Sequence, residues 1–461
     1  MLQKFIGDKA FYRRVAGVAV PIVIQYTITN FVSLLDNIMV GQVGTLPMNG
    51  VAIVNYLMFI FNLCIFGAMA GAGIFTAQFH GCQDHEGIRR TFRFKLIVGL
   101  LLSACGIALF FFAGTPLISL YLQSDSDPAD MAQTLSHGLG YLHIMLVGLI
   151  PFALSNAYAS TLRETGMTTV PMIASVSAVL TNLVLNYVLI FGHFGAPAMG
   201  VRGAALATVI SRFVELTIVL VWTHRNSQKA PFIAGAFRSL YIPGSLLKNI
   251  FIKGMPLLMN EFLFATGTAM VNQCYSIRGL DVVAAINISN TIYNLASVAY
   301  LSMGTVIGII MGQMMGSGSS KEEIRDSHRK LTALAMASCA VFGLLLLAIS
   351  VPFPMIYNTT DAVRALATQL IIISAVIMPI HAYIHAVYFA MRSGGKTMIT
   401  FFFDCGFIWL GSLPLAFCLA RFTAIPIVPL FILCSCIELL KAIIGYFIIR
   451  GDFWIRNLTE L

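Results

Sequence analysis

Long apolar stretches separated by short polar ones run the length of the chain, and the pattern predicts helices throughout. About 20 apolar residues are needed to cross a bilayer, and twelve stretches qualify, at 15–40, 50–79, 96–121, 137–160, 168–192, 200–223, 252–276, 283–315, 331–356, 365–391, 398–420 and 426–449. Polar positions recur inside them at helical spacing. Asp36 stands near the end of the first, in YTITNFVSLLDNIMVGQVG (26–44). Counted back at about 100° per residue, Thr29 and Gln25 each fall about 20° from it, so the three form one polar stripe on an apolar helix. An ionisable residue inside a span is costly and points to function.

Shifted by 235 residues, the chain matches itself without a gap: Pro21 with Pro256, Asn37 with Asn272, Gly44 with Gly279, Asn55 with Asn290, Gly73 with Gly308, Gln78 with Gln313, Gly81 with Gly316 and Arg90 with Arg325. Pro151 and the run from Arg163 to Gly166 match Pro379 and the run from Arg392 to Gly395 with one residue inserted. Prolines, glycines and amides do not coincide through hydrophobic bias alone, so the chain reads as a duplicated unit of six helices. Six is even, so both copies cross in the same direction, about an axis along the membrane normal. The expected division is a first lobe at 1–223, a basic linker at 224–251 containing Pro231 and Pro243, and a second lobe at 252–461. Substrate is then expected between the halves.

Asn55 and Asn62 share a face of the second span, and Asn287, Asn290, Asn294 and Ser297 form the counterpart in the eighth. Such amides bond helix to helix or line a cavity. Asn182 and Asn186, four apart in the fifth span, lie in its outer half, as do Asp36 in the first and Thr208 in the sixth. One carboxylate with amide and hydroxyl oxygens suits a hard monovalent cation, such as sodium at Asp36, or equally a proton. In the second half Val271 replaces Asp36. Glu261, Asp404, His381 and His385, with Ser374 and Tyr388 on the histidine face, lie at similar depth and form a candidate proton relay. No third ligand accompanies the histidines at a fixed spacing, so no metal site is expected there. Arg212 with Glu215, and Glu438 with Lys441, are three apart and are expected to pair within their helices.

Composition narrows the class. With 461 residues, 58% hydrophobic, 10% charged and a mean hydropathy of +0.86, the chain is too apolar for a water-soluble core and reads as an all-α polytopic membrane protein. Alternate connections divide the 28 Lys and Arg into 22 on one side and 4 on the other, with Arg212 and Lys441 inside spans. The positive-inside rule makes the richer side, with both termini, cytoplasmic. The net charge of +9 is mostly this bias, so nucleic acid is not an expected partner. The first span is too long for a signal-peptide core and is expected to remain in the protein. None of the nine cysteines falls in an outer loop, which argues against a disulfide framework. The residues contain no nucleophile–base constellation and no phosphate-cradling loop, which argues against an enzyme. The short outer loops argue against a receptor.

Together LLDNIMVGQVG around Asp36, Gln78 and Gly81 before DHEGIRR, RETG at Arg163, NLVLNYVLIFG with Asn182 and Asn186, GVRGAALAT with Thr208, and Gln313 and Gly316 before KEEIR resemble the multidrug and toxin extrusion (MATE) family of the multidrug/oligosaccharidyl-lipid/polysaccharide exporter superfamily. The resemblance implies two six-helix lobes in a V, alternating access, and export of cationic or amphiphilic drugs or metabolites in exchange for protons or sodium ions, with no cofactor. It implies a first-lobe cation site on Asp36, Asn182, Asn186 and Thr208, although the family commonly has an aspartate where Asn186 stands. Glu261 resembles a coupling acid of other members. Gln25, Thr29, Asn55, Asn290, Tyr293, His381, His385 and Asp404 are expected in the substrate cavity or a proton relay. A monomer in a bacterial plasma membrane is expected. A lipid-linked oligosaccharide flippase is the alternative, though it calls for a more cationic cavity than these acids provide.

Overall fold

The computed structural model describes residues 2–122 and 127–459. The side chains of residues 2, 3, 34 and 37, Asn37 of the repeat among them, lie outside that description. The described residues are helical or in connecting loops, with no strand among them.

The helices are α1 Lys9–Gly41, α2 Thr45–Gly81, α3 His85–Ser119, α4 Pro128–Val147, α5 Leu149–Glu164, α6 Thr169–Phe191, α7 Val201–Arg225, α8 Gly244–Ser276, α9 Leu280–Gly316, α10 Lys321–Ile349, the short α11 Pro352–Met355, α12 Asp361–Ser393, α13 Thr397–Phe422 and α14 Ile427–Arg450. Among the described residues ten are long and apolar enough to cross a membrane, and α4 with α5, bent by 46°, makes an eleventh. The expected span at 252–276 lies in α8, whose 33 residues include Lys248, Lys253 and Glu261 and fall short of the apolarity of the others. The protein is an all-α, polytopic membrane protein.

The duplication is visible in the helix ends. α8 begins and ends 235 residues after α1, and α9 does the same after α2. Pro21 and Pro256 stand inside the first pair, and the turns after it use Gly44 and Gly279 at φ 129° and 118°, which side chains strain to adopt. The third helices start alike: Asp84 caps α3 by accepting from the Gly87 N–H at 2.9 Å, and Ser320 caps α10 in a reciprocal box with Glu323.

Two irregularities interrupt the spans. At Gly148, between α4 and α5, the carbonyl accepts from the Phe152 N–H at 3.2 Å and also from Arg212 Nη1 at 3.2 Å, and a Cβ there would crowd the same guanidinium. α13 has wider π-type turns over Phe402–Gly406 and Ile408–Ser412, a geometry frequent at functional sites, and Asp404 lies in the first of them.

The chain divides into two compact units. One comprises Ile24–Thr76 and Asp84–Lys248. In it Lys95, fully buried, pairs with Glu164 and donates to Thr161 at 3.2 Å. The stretch after α7 is anchored on α3: Arg93 donates to the carbonyls of Gly235, Ala236 and Tyr241, and Phe232 packs on Phe92 with ring centres 5.3 Å apart. The other unit comprises Met1–Val23, Ala77–Gln83 and Asn249–Leu461. α9 lies at its centre, packed by α10 and α12. The end of α2 crosses α9 in this unit: a Cβ on Gly81 would overlap the Gln313 carbonyl, and one on Gly316 would overlap that of Gln78. The Gln78 side chain donates to the carbonyls of Ser393 (2.8 Å) and Arg456 (3.1 Å) and accepts from the Leu458 N–H (2.6 Å), which fastens the C-terminal segment.

Candidate functional site

Four of the residues singled out in the sequence meet in the first-described unit. α1 contributes Asp36, α6 contributes Asn182 and Asn186 one turn apart, and α7 contributes Thr208. Asn186 Nδ2 donates to Asp36 Oδ1 and, at 3.1 Å, to Asn182 Oδ1; Asn182 Nδ2 donates to Thr208 Oγ1 at 3.2 Å; and Thr208 closes the line on the Ala204 carbonyl at 3.0 Å. Asn186 is fully buried. Its Oδ1 is buried with no hydrogen-bond partner among the described residues. A buried acceptor left unmatched costs about 1–3 kcal/mol. The line therefore gives the carboxylate one amide donor and leaves an oxygen to spare.

The rest of the expected first-half set is more scattered. Gln25 and Thr29 are half-buried on α1, and their side chains take no part in the Asp36 line among the described residues. Asn55 is exposed on α2 and accepts from the Tyr141 hydroxyl at 3.4 Å. Arg212 makes no ion pair with Glu215 among the described residues. It turns to the Gly148 carbonyl and lies over the Phe152 ring at 4.8 Å. The expected pairing within α7 is corrected here: the bend offers Arg212 both the Gly148 carbonyl, as its second donor, and an aromatic face.

The second unit gathers its own polar residues around α12. Asp404 accepts from Lys441 Nζ at 2.7 Å and from Asn260 Nδ2 at 3.0 Å, and Asn260 also donates to the Tyr388 hydroxyl at 3.3 Å. Lys441 thus pairs with Asp404 rather than with Glu438, which overturns the expected pair within α14. Glu438 instead stands 4.0 Å from His381 Nδ1. His385 Nδ1 lies 2.9 Å from the His381 carbonyl, and its ring centre is 4.5 Å from that of Tyr300. Tyr300 donates to the Tyr293 hydroxyl at 3.3 Å, and both tyrosine rings lie about 6 Å from His381. Glu261 is half-buried and makes no hydrogen bond or ion pair among the described residues, and Asn290 is half-buried on α9.

Sequence reasoning missed Lys441, Glu438, Tyr300 and Asn260 as members of this second cluster. The signal for Lys441 misled, since its nearest acid along the chain is three residues away, whereas its partner arrives from α13. Asn260, next to Glu261, was open to notice as an amide beside an acid in a span.

Comparison with known proteins follows the same architecture. A sequence model of the MatE family matches residues 21–188 and 256–417, one stretch in each half of the repeat. A probable multidrug resistance protein NorM of Thermotoga maritima is 24% identical over 410 residues, 88% of this chain and 84% of that protein. A multidrug resistance protein MdtK of Edwardsiella ictaluri is 26% identical over 414 residues, 88% of this chain and 87% of that one. In fold the chain is similar to the outward-facing conformation of a multidrug resistance MATE family transporter of the MOP superfamily, with a TM-score of 0.85, 17% identity and 97% of both chains covered. A MATE structure in the straight conformation gives 0.85 at 18% identity, again over 97% of each. Because the family model takes in well over half of the chain and starts afresh in the second half of the duplication, the chain belongs to the MatE family.

Proposed function

We propose that the protein is a secondary active antiporter that exports cationic or amphiphilic drugs or metabolites in exchange for protons or sodium ions. It works by alternating access, as a monomer in a bacterial plasma membrane with both termini cytoplasmic. The two lobes are 1–223 and 252–461, joined by the segment at 224–251.

The observation that carries this reading is the line from Asp36 through Asn186 and Asn182 to Thr208, with the Asn186 oxygen left over. A carboxylate held by one amide donor beside an unmatched oxygen is a place for a small cation. A proton takes the carboxylate oxygen; a sodium ion takes the carboxylate and the spare carbonyl together. Glu261, which makes no hydrogen bond or ion pair among the described residues, is the second coupling acid. Gln25, Thr29, Asn55, Asn290 and Tyr293 face substrate, and His381, His385 and Asp404 pass protons. Coupling follows if cation and substrate favour different states of the transporter, because a ligand shifts an equilibrium only by its differential affinity.

The test is ethidium efflux from proteoliposomes under an imposed pH gradient or sodium gradient. D36N is expected to abolish gradient-driven export while the protein still inserts and folds. Undiminished export in D36N would sink the role of Asp36, and no efflux under either gradient would sink antiport.

A further inference from the structure

A cavity of about 630 Å³ opens in the unit that holds the C-terminal half, at the end where α10 begins and α14 finishes. One stripe of α10 forms a wall, with Arg325, Arg329 and Met336 at helical spacing, and the last turns of α14 form the other with Tyr446 and Arg450. α10 and α14 both pack on α12, whose Tyr383 lines the cavity between them. Arg325 is engaged by Asp452 at 3.4 Å. Arg329 and Arg450 have no ion pair or hydrogen bond among the described residues. Two guanidinium groups without an ion pair among the described residues thus stand, beside the engaged Arg325, at an opening whose other walls are mostly aromatic and aliphatic, with His328 and Thr332 as their remaining polar side chains.

We infer that this cavity binds an anionic phospholipid, with the phosphate on Arg329 and Arg450 and an acyl chain against Met336, Tyr383 and Tyr446. Guanidinium forks match phosphate oxygens, and basic pockets between spans at the membrane surface take lipid head groups. A free phosphate leaves the apolar wall unused, and a neutral lipid leaves both guanidinium groups unmatched. The charge and the apolar lining together select a ligand carrying a phosphate and a hydrocarbon tail.

Trp454, fully buried, packs on His328 of the cavity wall with ring centres 5.4 Å apart, so its fluorescence reports on the site. The protein is made in a W222F/W409F background and placed in phosphatidylcholine nanodiscs doped with brominated lipid. Brominated phosphatidylglycerol is expected to quench Trp454 at a mole fraction on the order of tenfold lower than brominated phosphatidylcholine. R329Q/R450Q should lose that preference and R329K/R450K keep most of it. K4Q/K321Q, which removes equal charge outside the cavity, should keep it whole. Equal quenching by the two lipids, or a preference that survives in R329Q/R450Q, would overturn the assignment. Loss of the preference in K4Q/K321Q would also overturn it, by showing a diffuse surface-charge effect. Relief of quenching by inorganic phosphate alone would overturn it in favour of a free anion.

Discussion

Asn186 places both of its hydrogen bonds through one nitrogen, to Asp36 and to Asn182, and leaves its oxygen unmatched. An aspartate at this position would reverse that balance, replacing a donor with a second carboxylate beside the first. N186D is therefore expected to tighten sodium binding by on the order of tenfold, since affinity for hard cations rises with ligand charge. Efflux driven by graded sodium gradients reads the change; identical sodium dependence in N186D and wild type would contradict it. In the other cluster, D404N leaves the ammonium of Lys441, 4% exposed, without its carboxylate. Breaking such a pair costs about 3–5 kcal/mol, whereas replacing both partners costs much less. Thermal melting in detergent should therefore rank D404L/K441L above D404N. The first cluster was legible in the sequence because an acid, two amides and a hydroxyl are conspicuous at a shared depth in apolar helices. The second was only half legible. Pairing rules along one helix connect Lys441 to Glu438, and nothing in linear spacing shows that a π-type turn in α13 carries Asp404 to the same ammonium.

At the scale of elements, the helices and their duplication were open to reading, since apolar length and the 235-residue match both survive in the sequence. The bend at Gly148 was not, because it depends on Arg212 reaching a carbonyl across a helix pair. The crossing of α2 and α9 rests on two glycines, each lying against the other helix's backbone. Backbone cannot retreat as a side chain can, so G316A is expected to destabilise the protein by about 1–3 kcal/mol through overpacking. G81A should cost a similar amount. Melting temperatures of both variants, measured against G244A at the exposed start of α8, where an added Cβ meets nothing within 4 Å, check this. Unchanged melting in G81A and G316A would mean that the crossing tolerates separation.

For the whole molecule, the 22-to-4 division of basic residues predicts which loops meet which side of the membrane. In a background without the native cysteines, Ala196→Cys in the loop between α6 and α7 should react with a membrane-impermeant maleimide added to intact cells. Ser319→Cys, between α9 and α10, should react only after the cells are opened. The opposite pattern would invert the topology. The sequence predicts this sidedness because charge bias is a property of loops, independent of packing. It could not show that the stretch after α7 is fixed to α3 by Arg93, since main-chain carbonyls have no signature in sequence.

The contact between α2 and α9 is reciprocal: Gly81 meets Gln313, and Gly316 meets Gln78, each pair being the other displaced by one repeat. That is the rule of an interface between identical subunits related by a two-fold axis, here written into one polypeptide. Such a contact restricts divergence. The halves are free to differ in chemistry, as Asp36 and Val271 do, but a change at either crossing glycine is imposed at once on the opposite copy. Natural variation in the family should accordingly keep these two positions small together, while the positions of Asp36 and Val271 vary independently of each other.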